Sequence, residues 1–318
     1  MKQAENLAVT VIAKQFNGAG NVLLTLASAS GHPLPAFTPG AHIDVTIPDC
    51  GKRQYSLCSV AGAGHYQICV RLDQASGGGS RWLHHQVQTG ASLTISAPRN
   101  HFPLPQAPRT LLFAAGIGLT PLLVMAEQLA VQGADFTLHL FLKRHDELPF
   151  SARLEQLGAR VVLHYSSEGD SLRQHVPADL KQSHDSVLVS CGPAGFMDHL
   201  HQLALKYGWR ADQLYSEKFK ASAATQSVAG DTFTVEIASS GARYTINADE
   251  SIAEVLERAG IDIELSCEQG MCGACITGVL HGEPDHRDEV LSQTERTAND
   301  CIVLCCSRAR SPLLVLDL

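Results

Sequence analysis

Long apolar runs are missing from this 318-residue sequence. No stretch of 18 consecutive apolar residues occurs, which excludes a helical membrane span. The first residues, Met1-Lys-Gln-Ala-Glu-Asn, lack the apolar centre of a secretory signal, so a cytoplasmic protein is expected. Charge is sparse, at 18 % of residues against 45 % apolar, a balance that suits a soluble globular chain. No internal repeat is visible, which excludes a solenoid, and nothing in the charge pattern points to nucleic acid. The length leaves room for two or three domains.

Cysteine is plentiful. Ten cysteines in a reducing compartment point to metal or redox work rather than disulfides. Net charge is −8 and unevenly spread. Residues 231–318 hold 16 acidic and 6 basic side chains, while the first 230 hold 16 and 18. The tail is therefore either a solvated acidic surface or a docking face for something basic.

Six of the cysteines lie in that tail. Cys267, Cys272 and Cys275 are spaced C-x4-C-x2-C, and Cys305 follows at a distance. That is the ligand pattern of a plant-type [2Fe–2S] cluster. Three thiolates come from one tight loop, where Gly270 and Gly273 let the backbone curl, and the fourth arrives from elsewhere. A zinc site would place cysteine pairs at short spacing on both sides, whereas the far side here offers adjacent Cys305 and Cys306. Cys301 and Cys306 are expected to be small buried neighbours. Histidines such as His84, His85, His199, His201 and His286 form no metal spacing. The cysteine loop contains none, so a Rieske centre is excluded.

Between residues 7 and 103, short stretches alternate apolar and polar at a period of two: Leu7–Ile12, Val22–Leu26, His42–Ile47, Tyr66–Leu72 and Ala91–Ser96. With turn clusters between them, they predict a small antiparallel barrel, with a short helix over Ser80–Gln88. From residue 109 to 222, apolar strands alternate with helices, which predicts a parallel sheet covered on both faces. Its helices are expected at Pro121–Gln132, Leu148–Leu157, Leu172–Val176 and Ala194–Tyr207. Small polar residues over 220–231 read as a linker. Beyond it come a hairpin around Ser240-Gly241, a helix capped by Ser251 with Glu254, and strands at Ile276–Leu280 and Pro312–Leu316.

On a barrel strand, Arg53 and Tyr55 share one face and Ser56 takes the other. A cation beside an aromatic ring suits a flavin phosphate and isoalloxazine, although ordinary surface and core packing gives the same pattern. Gly77-Gly78-Gly79-Ser80 leads into a helix, where free N–H groups favour a phosphate. In the second region, Gly116-Ile-Gly118-Leu-Thr120-Pro121 lies at a strand-to-helix turn, where open α/β sheets bind ligands. The third glycine of a dinucleotide fingerprint is replaced by Pro121, so an ordinary turn stays open. Thr120 is expected to cap the helix and Pro121 to fill its first turn. Cys191-Gly192-Pro193 ends another apolar strand at the same edge. Lys143 and Arg144 either face the nucleotide or form a solvated edge.

Arg53-Gln54-Tyr55-Ser56-Leu, the Gly-Gly-Ser loop, Gly116-Ile-Gly-Leu-Thr-Pro, Cys191-Gly-Pro and the cysteine loop occur in one order that resembles the phthalate dioxygenase reductase family. The likeness covers nearly the whole chain. It is greatest to the vanillate O-demethylase reductase branch, through Ala41-His-Ile-Asp-Val, Ala97-Pro-Arg-Asn, Gly195-Phe-Met-Asp and Cys305-Cys-Ser-Arg-Ala. One departure is Ala115-Gly116, where the family carries two glycines.

The resemblance implies an antiparallel β-barrel FMN domain over 1–106, a parallel α/β NAD domain over 107–222, a linker over 223–231 and a β-grasp plant-type ferredoxin domain over 232–318. It implies FMN rather than FAD, with Arg53 and Ser80 near the phosphate, Tyr55 and Ser56 at the ring, and Gln54, Gly78 and Gly79 among the residues that bind the cofactor. It places NADH at Gly116, Gly118, Thr120, Pro121, Cys191, Gly192 and Pro193. Ser56, Cys191 and Phe219 are the side chains implied beside the reacting rings, Phe219 through the segment Ser216-Glu217-Lys-Phe219. The expected activity is an NADH-dependent reductase, a monomer that hands electrons singly through FMN and the cluster to a separate Rieske-type oxygenase. An O-demethylase of the vanillate type is the first expectation for that partner. A phthalate, arylsulfonate or carnitine oxygenase is the alternative, and a redox sensor without turnover the more distant one.

Overall fold

Alternation along the first hundred residues yields six antiparallel strands. They are β1 (Asn6–Phe16), β2 (Asn21–Ser28), β3 (His42–Ile47), β4 (Gly51–Ser56), β5 (Tyr66–Arg71) and, after helix α1 (Gly79–His85), β6 (Ser92–Ser96). This computed structural model describes residues 6–60, 62–73, 78–182, 185–219, 230–265, 270–271 and 273–318. The sheet order is β4-β3-β6-β1-β2-β5. Its ends meet where Leu57, just past β4, bridges Ile68 of β5, and the Cys58 N–H donates to the Gln67 carbonyl at 2.9 Å. The sheet is thus a near-barrel around buried Val9, Leu24, Ile43, Val45 and Ile95, as the turn spacing predicts.

Beyond Pro108 the alternation is lost. β7 (Arg109–Ala115) is buried along almost its whole length, as a strand covered on both faces must be. It is followed by α2 (Leu119–Val131), β8 (Asp135–Leu142), α3 (Ser151–Leu157), β9 (Val161–Tyr165), β10 (Ser186–Cys191), α4 (Ala194–Lys206) and β11 (Leu214–Glu217). All five strands are parallel, in the order β11-β10-β7-β8-β9. The chain runs from β7 to β9 on one side, then crosses to β10 on the other. The order therefore reverses between β7 and β10, and a crevice opens at their carboxyl ends.

One expectation fails here. Leu172–Val176 is not a helix: one turn, closed by the His175 N–H on the Ser171 carbonyl, is stopped by Pro177. The edge strand β11 is additional, being only four residues long and partly exposed, too short to give a period.

The chain divides into two compact units, Met1–Phe219 and Lys220–Leu318. Barrel and parallel sheet both lie in the first. Leu23, Cys58 and Cys69 of the barrel share one core with Leu119, Leu122 and Met125 of α2.

The second unit contains β12 (Phe233–Ile237), β13 (Arg243–Ile246), α5 (Ile252–Arg258), β14 (Ile276–His281), β15 (Pro284–Asp285), α6 (Gln293–Ala298), β16 (Cys301–Val303), β17 (Arg308–Ala309) and β18 (Leu313–Leu316). Its main sheet runs β13-β12-β18-β14-β16, and β15 pairs with β17. The hairpin and the Ser251–Glu254 capping box form as expected, the Ser251 hydroxyl accepting the Glu254 N–H at 3.1 Å. An unexpected second box, Ser292 with Glu295, starts α6. Arg308 is buried and donates to the carbonyls of Asp231, Asn247 and Glu250 at 2.7–2.9 Å. The expected linker lies outside the described residues as far as position 229. Among the described residues, no helix is long and apolar enough to cross a membrane.

Candidate functional site

Register on β3 fixes where the β4 side chains go. Arg53 pairs with Val45 and Tyr55 with Ile43, while Gln54 pairs with Asp44 and Ser56 with His42. Arg53 and Tyr55 thus share a face and Ser56 takes the other, as the strand period requires. Tyr55 packs against the barrel core, and burial pushes its phenol upward. Gln54 Nε2 lies 3.1 Å from His42 Nε2. Gly78 takes φ 101°, a left-handed turn that opens α1. A Cβ on Gly79 would meet Arg53 Cγ at 3.1 Å, so the guanidinium stem passes directly beneath the start of α1. Ser80 Oγ accepts the Asp73 N–H at 3.1 Å. Cation and helix start are brought together, an arrangement that can hold a phosphate.

The turn after β7 is tight. Gly116 takes φ 57°, and Gly116–Gly118 form one 3-10 turn before α2. A Cβ on Gly118 would stand 2.5 Å from the Cys191 carbonyl carbon and 2.8 Å from Gly192 N. A Cβ on Gly192 would stand 2.9 Å from that of Ala115, so β7 and β10 touch at their carboxyl ends. Here the alanine in place of a family glycine fits against the absent side chain of Gly192. Thr120 does not cap α2. The helix already starts at Leu119, and Thr120 Oγ1 donates back to the Ile117 carbonyl at 3.0 Å. Pro121 sits in the first turn as expected, and Pro193 immediately precedes α4.

Three side chains from distant points in the chain converge beside this crevice. Cys191, fully buried at the end of β10, pairs in register with Glu217 at the end of β11. The Ser56 hydroxyl hydrogen-bonds the Glu217 carboxyl. Burial pushes the Glu217 carboxyl up to about 8, against the opposing effect of Ser56. Its Oε2 is buried and meets no donor among the described residues. Burial, then the nearby Glu217, raises the Cys191 thiol well above its ordinary range. Such an orphaned oxygen beside a hydroxyl and a thiol fits a site that a polar ring system completes.

Sequence reasoning gave Glu217 no role of its own, because nothing local marks a glutamate as buried. It also missed Arg71. This last residue of β5 is exposed, and a Cβ on Gly116 would lie 3.6 Å from its Nη1. Its guanidinium therefore overhangs the glycine turn. Phe219, two residues past β11, is 39 % exposed and remains available to cover a ligand.

In the second unit, β14 and β16 are antiparallel and Ile276 pairs with Val303. Cys275, one residue before that pair, and Cys305, two after it, are thereby brought to one end of the ladder, and both are buried. The Gly270 N–H donates to Cys305 Sγ at 3.2 Å, and Gly270 and Gly273 both take positive φ. A backbone N–H on a thiolate is the donor set a cluster needs. Cys267 and Cys272 lie outside the described residues. Cys301 pairs with Gly278, away from that end of the ladder, and is half-exposed rather than buried. Cys306 is buried and turns its Sγ toward the Val303 carbonyl.

With this geometry in place, likeness to known proteins is informative. Residues 235–310 match the 2Fe-2S iron-sulfur cluster binding domain. The chain is 44 % identical over 298 residues to a vanillate O-demethylase oxidoreductase of Pseudomonas putida, covering 92 % of this chain and 94 % of that one. Among solved structures, phthalate dioxygenase reductase superposes with a TM-score of 0.72 at 33 % identity, covering 98 % of both chains. An intact type IV self-sufficient cytochrome P450 monooxygenase gives a TM-score of 0.86 at 34 % identity. There the likeness covers all of this chain but 42 % of the longer one.

Proposed function

The chain belongs to the family of the vanillate O-demethylase oxidoreductases and phthalate dioxygenase reductase, and from that premise we propose that it is the NADH-dependent reductase component of a two-component aromatic oxygenase system. FMN is the proposed flavin, with Arg53, Ser80 and the glycines Gly78 and Gly79 at its phosphate, Tyr55 and Ser56 at its ring, and Gln54 as a further binding residue. NADH is proposed to enter over Gly116, Gly118, Thr120, Pro121, Gly192 and Pro193, with Arg71 facing its phosphates. When bound, the flavin accepts a hydride as an electron pair and the [2Fe–2S] cluster passes electrons on one at a time.

The observation that carries this reading is the convergence of Ser56 from the barrel with Cys191 and Glu217 from the parallel sheet. Ser56 orients a hydroxyl toward the reacting edge, and the Glu217 carboxyl holds that hydroxyl. Cys191 keeps the floor small and dry, so a flat ring can lie against it. The glycine turn lets a dinucleotide backbone approach, and Phe219 covers the ring from the solvent side. Cys267, Cys272, Cys275 and Cys305 are the proposed cluster ligands. The acidic second unit offers a face for a partner of opposite charge, and a separate oxygenase of the vanillate type is the proposed partner.

The test is direct. The purified chain should show flavin and [2Fe–2S] absorption together and should reduce ferricyanide and cytochrome c with NADH. A colourless protein, or a coloured one without turnover, sinks the proposal. Reconstitution with purified oxygenases then decides which of them it drives.

A further inference from the structure

One guanidinium joins the two halves of the first unit. Arg153, the third residue of α3, donates from Nε and Nη2 to both carboxylate oxygens of Glu127 on α2, at 2.6 Å each. Its remaining nitrogen, Nη1, donates to the Cys58 carbonyl, also at 2.6 Å. All three nitrogens are thus engaged, and both charged side chains are about four-fifths buried, at 19 % and 22 % exposure. The fork geometry of arginine fits this three-way task, and a lysine ammonium cannot copy it.

What the guanidinium connects gives it meaning. Cys58 lies two residues beyond Ser56 and closes the barrel through its N–H on Gln67. Glu127 lies on the helix that begins directly after the Gly116–Gly118 turn. One side of the link is therefore the flavin strand, the other the dinucleotide helix. A second bond runs in parallel: the Phe150 N–H donates to Asn17 Oδ1 of the barrel at 2.7 Å. Phe150 holds a left-handed conformation, φ 55°, immediately before α3. A phenylalanine does not take that conformation freely, so its surroundings hold it there. The Arg153 guanidinium carbon lies 5.3 Å from the centre of the same ring. Both bonds converge on the start of α3, making it a wedge set between barrel and sheet.

We propose that Arg153 is a positioning residue for hydride transfer: it fixes the spacing between the Ser56 end of β4 and the glycine turn before α2. The proposal rests on reading that crevice as the place where nicotinamide meets flavin. Arg153 touches neither ring. Its effect is to keep the hydride-donating carbon of the nicotinamide and the accepting nitrogen of the flavin at reacting distance, where an error of about 1 Å costs on the order of 100-fold in rate.

The experiment uses the full chain with its cofactors, as wild type and as Arg153→Met, Arg153→Lys and Glu127→Gln. Anaerobic flavin reduction is followed by rapid mixing with NADH and with NADH deuterated at the transferred position. Arg153→Met is expected to reduce the flavin about 10- to 100-fold more slowly. Its primary isotope effect should rise, while half-saturation by NADH moves less than about threefold. Flavin content, cluster absorption and dithionite reduction should match wild type. Arg153→Lys and Glu127→Gln should give smaller losses with the same signature, and they carry the test if the methionine variant does not fold.

Wild-type reduction rates in the folded variants would overturn the proposal. So would losses that merely track missing flavin, because the residue would then serve stability alone. A wild type that holds flavin yet is not reduced by NADH would overturn the reading of the crevice and the proposal with it.

Discussion

Replacing Gly118 by alanine adds one methyl group where the turn before α2 meets the end of β10. The backbone there is already helical, at φ −59°, so alanine brings no conformational penalty and the cost is steric. The new Cβ would stand 2.5 Å from the Cys191 carbonyl carbon and 2.8 Å from Gly192 N, and closer still to the Cys191 oxygen. Ordinary contact begins near 3.4 Å, so about 1 Å must be recovered. The obstructing atoms are backbone at the end of β10, which is pinned between β7 and β11 and cannot turn aside as a side chain would.

Overpacking of this size costs about 1–3 kcal/mol, which a folded chain of this length tolerates. A displacement of about 1 Å at a reacting pair costs on the order of 100-fold in rate. Gly118→Ala should therefore fold and retain flavin and cluster, yet be reduced by NADH about 100-fold more slowly in anaerobic rapid mixing. Gly195→Ala is the matched control, because a Cβ there meets nothing within 4 Å. A folded Gly118→Ala protein reduced as fast as Gly195→Ala would refute the reasoning.

Four further outcomes are expected. Burial holds the Glu217 carboxyl near 8 against an ordinary 4.5, so the folded chain binds its proton more tightly than the unfolded one. That contribution to stability is complete below about pH 4.5 and is lost as pH rises through about 8. Urea midpoints across that range should fall less steeply in Glu217→Gln than in wild type. Cys305→Ser should lose the [2Fe–2S] absorption while NADH-to-ferricyanide activity largely persists; simultaneous loss of both would argue against separable centres. Arg71→Met should raise the NADH concentration for half-saturation about tenfold, by loss of a charge-assisted bond of about 1.5 kcal/mol, with flavin content unchanged. Arg308→Met removes a donor from three carbonyls, of which that of Asn247 still accepts the Glu250 N–H at 3.2 Å, and should destabilise the second unit by about 3 kcal/mol in a denaturant melt.

The parts of this architecture legible in the sequence are those written in local patterns. Period-two alternation located the barrel strands, and its loss after Pro108 marked the parallel sheet. Ser251 followed by Glu254 fixed the start of α5. The same signal in Ser292 and Glu295 marks α6 equally well, but the acidic loop before it carries no apolar period to set it off. Strand period placed Arg53 and Tyr55 opposite Ser56.

Contacts made across the fold left no such trace. Glu217 lies in a four-residue edge strand, and the partner of its carboxyl, Ser56, is far away in the chain. Arg71 ends a barrel strand like any exposed residue, and only the closure of β5 onto the β7 turn gives it a place. Thr120 followed the pattern of a helix cap. The 3-10 turn at Gly116–Gly118 moved the helix start ahead of it, and no propensity scale separates those two outcomes. The barrel and the parallel sheet read as two domains because their periods differ. Their shared core, through Leu23, Cys58 and Cys69, depends on packing that periodicity does not encode.

Electron paramagnetic resonance after anaerobic addition of NADH tests the central claim most directly, that electrons from a nicotinamide reach the cysteine-held iron within this one chain. NADH alone should produce the signal of a reduced [2Fe–2S] cluster, as intense as the one dithionite produces. A cluster that dithionite reduces but NADH leaves silent, in protein with its full complement of flavin, would contradict the account.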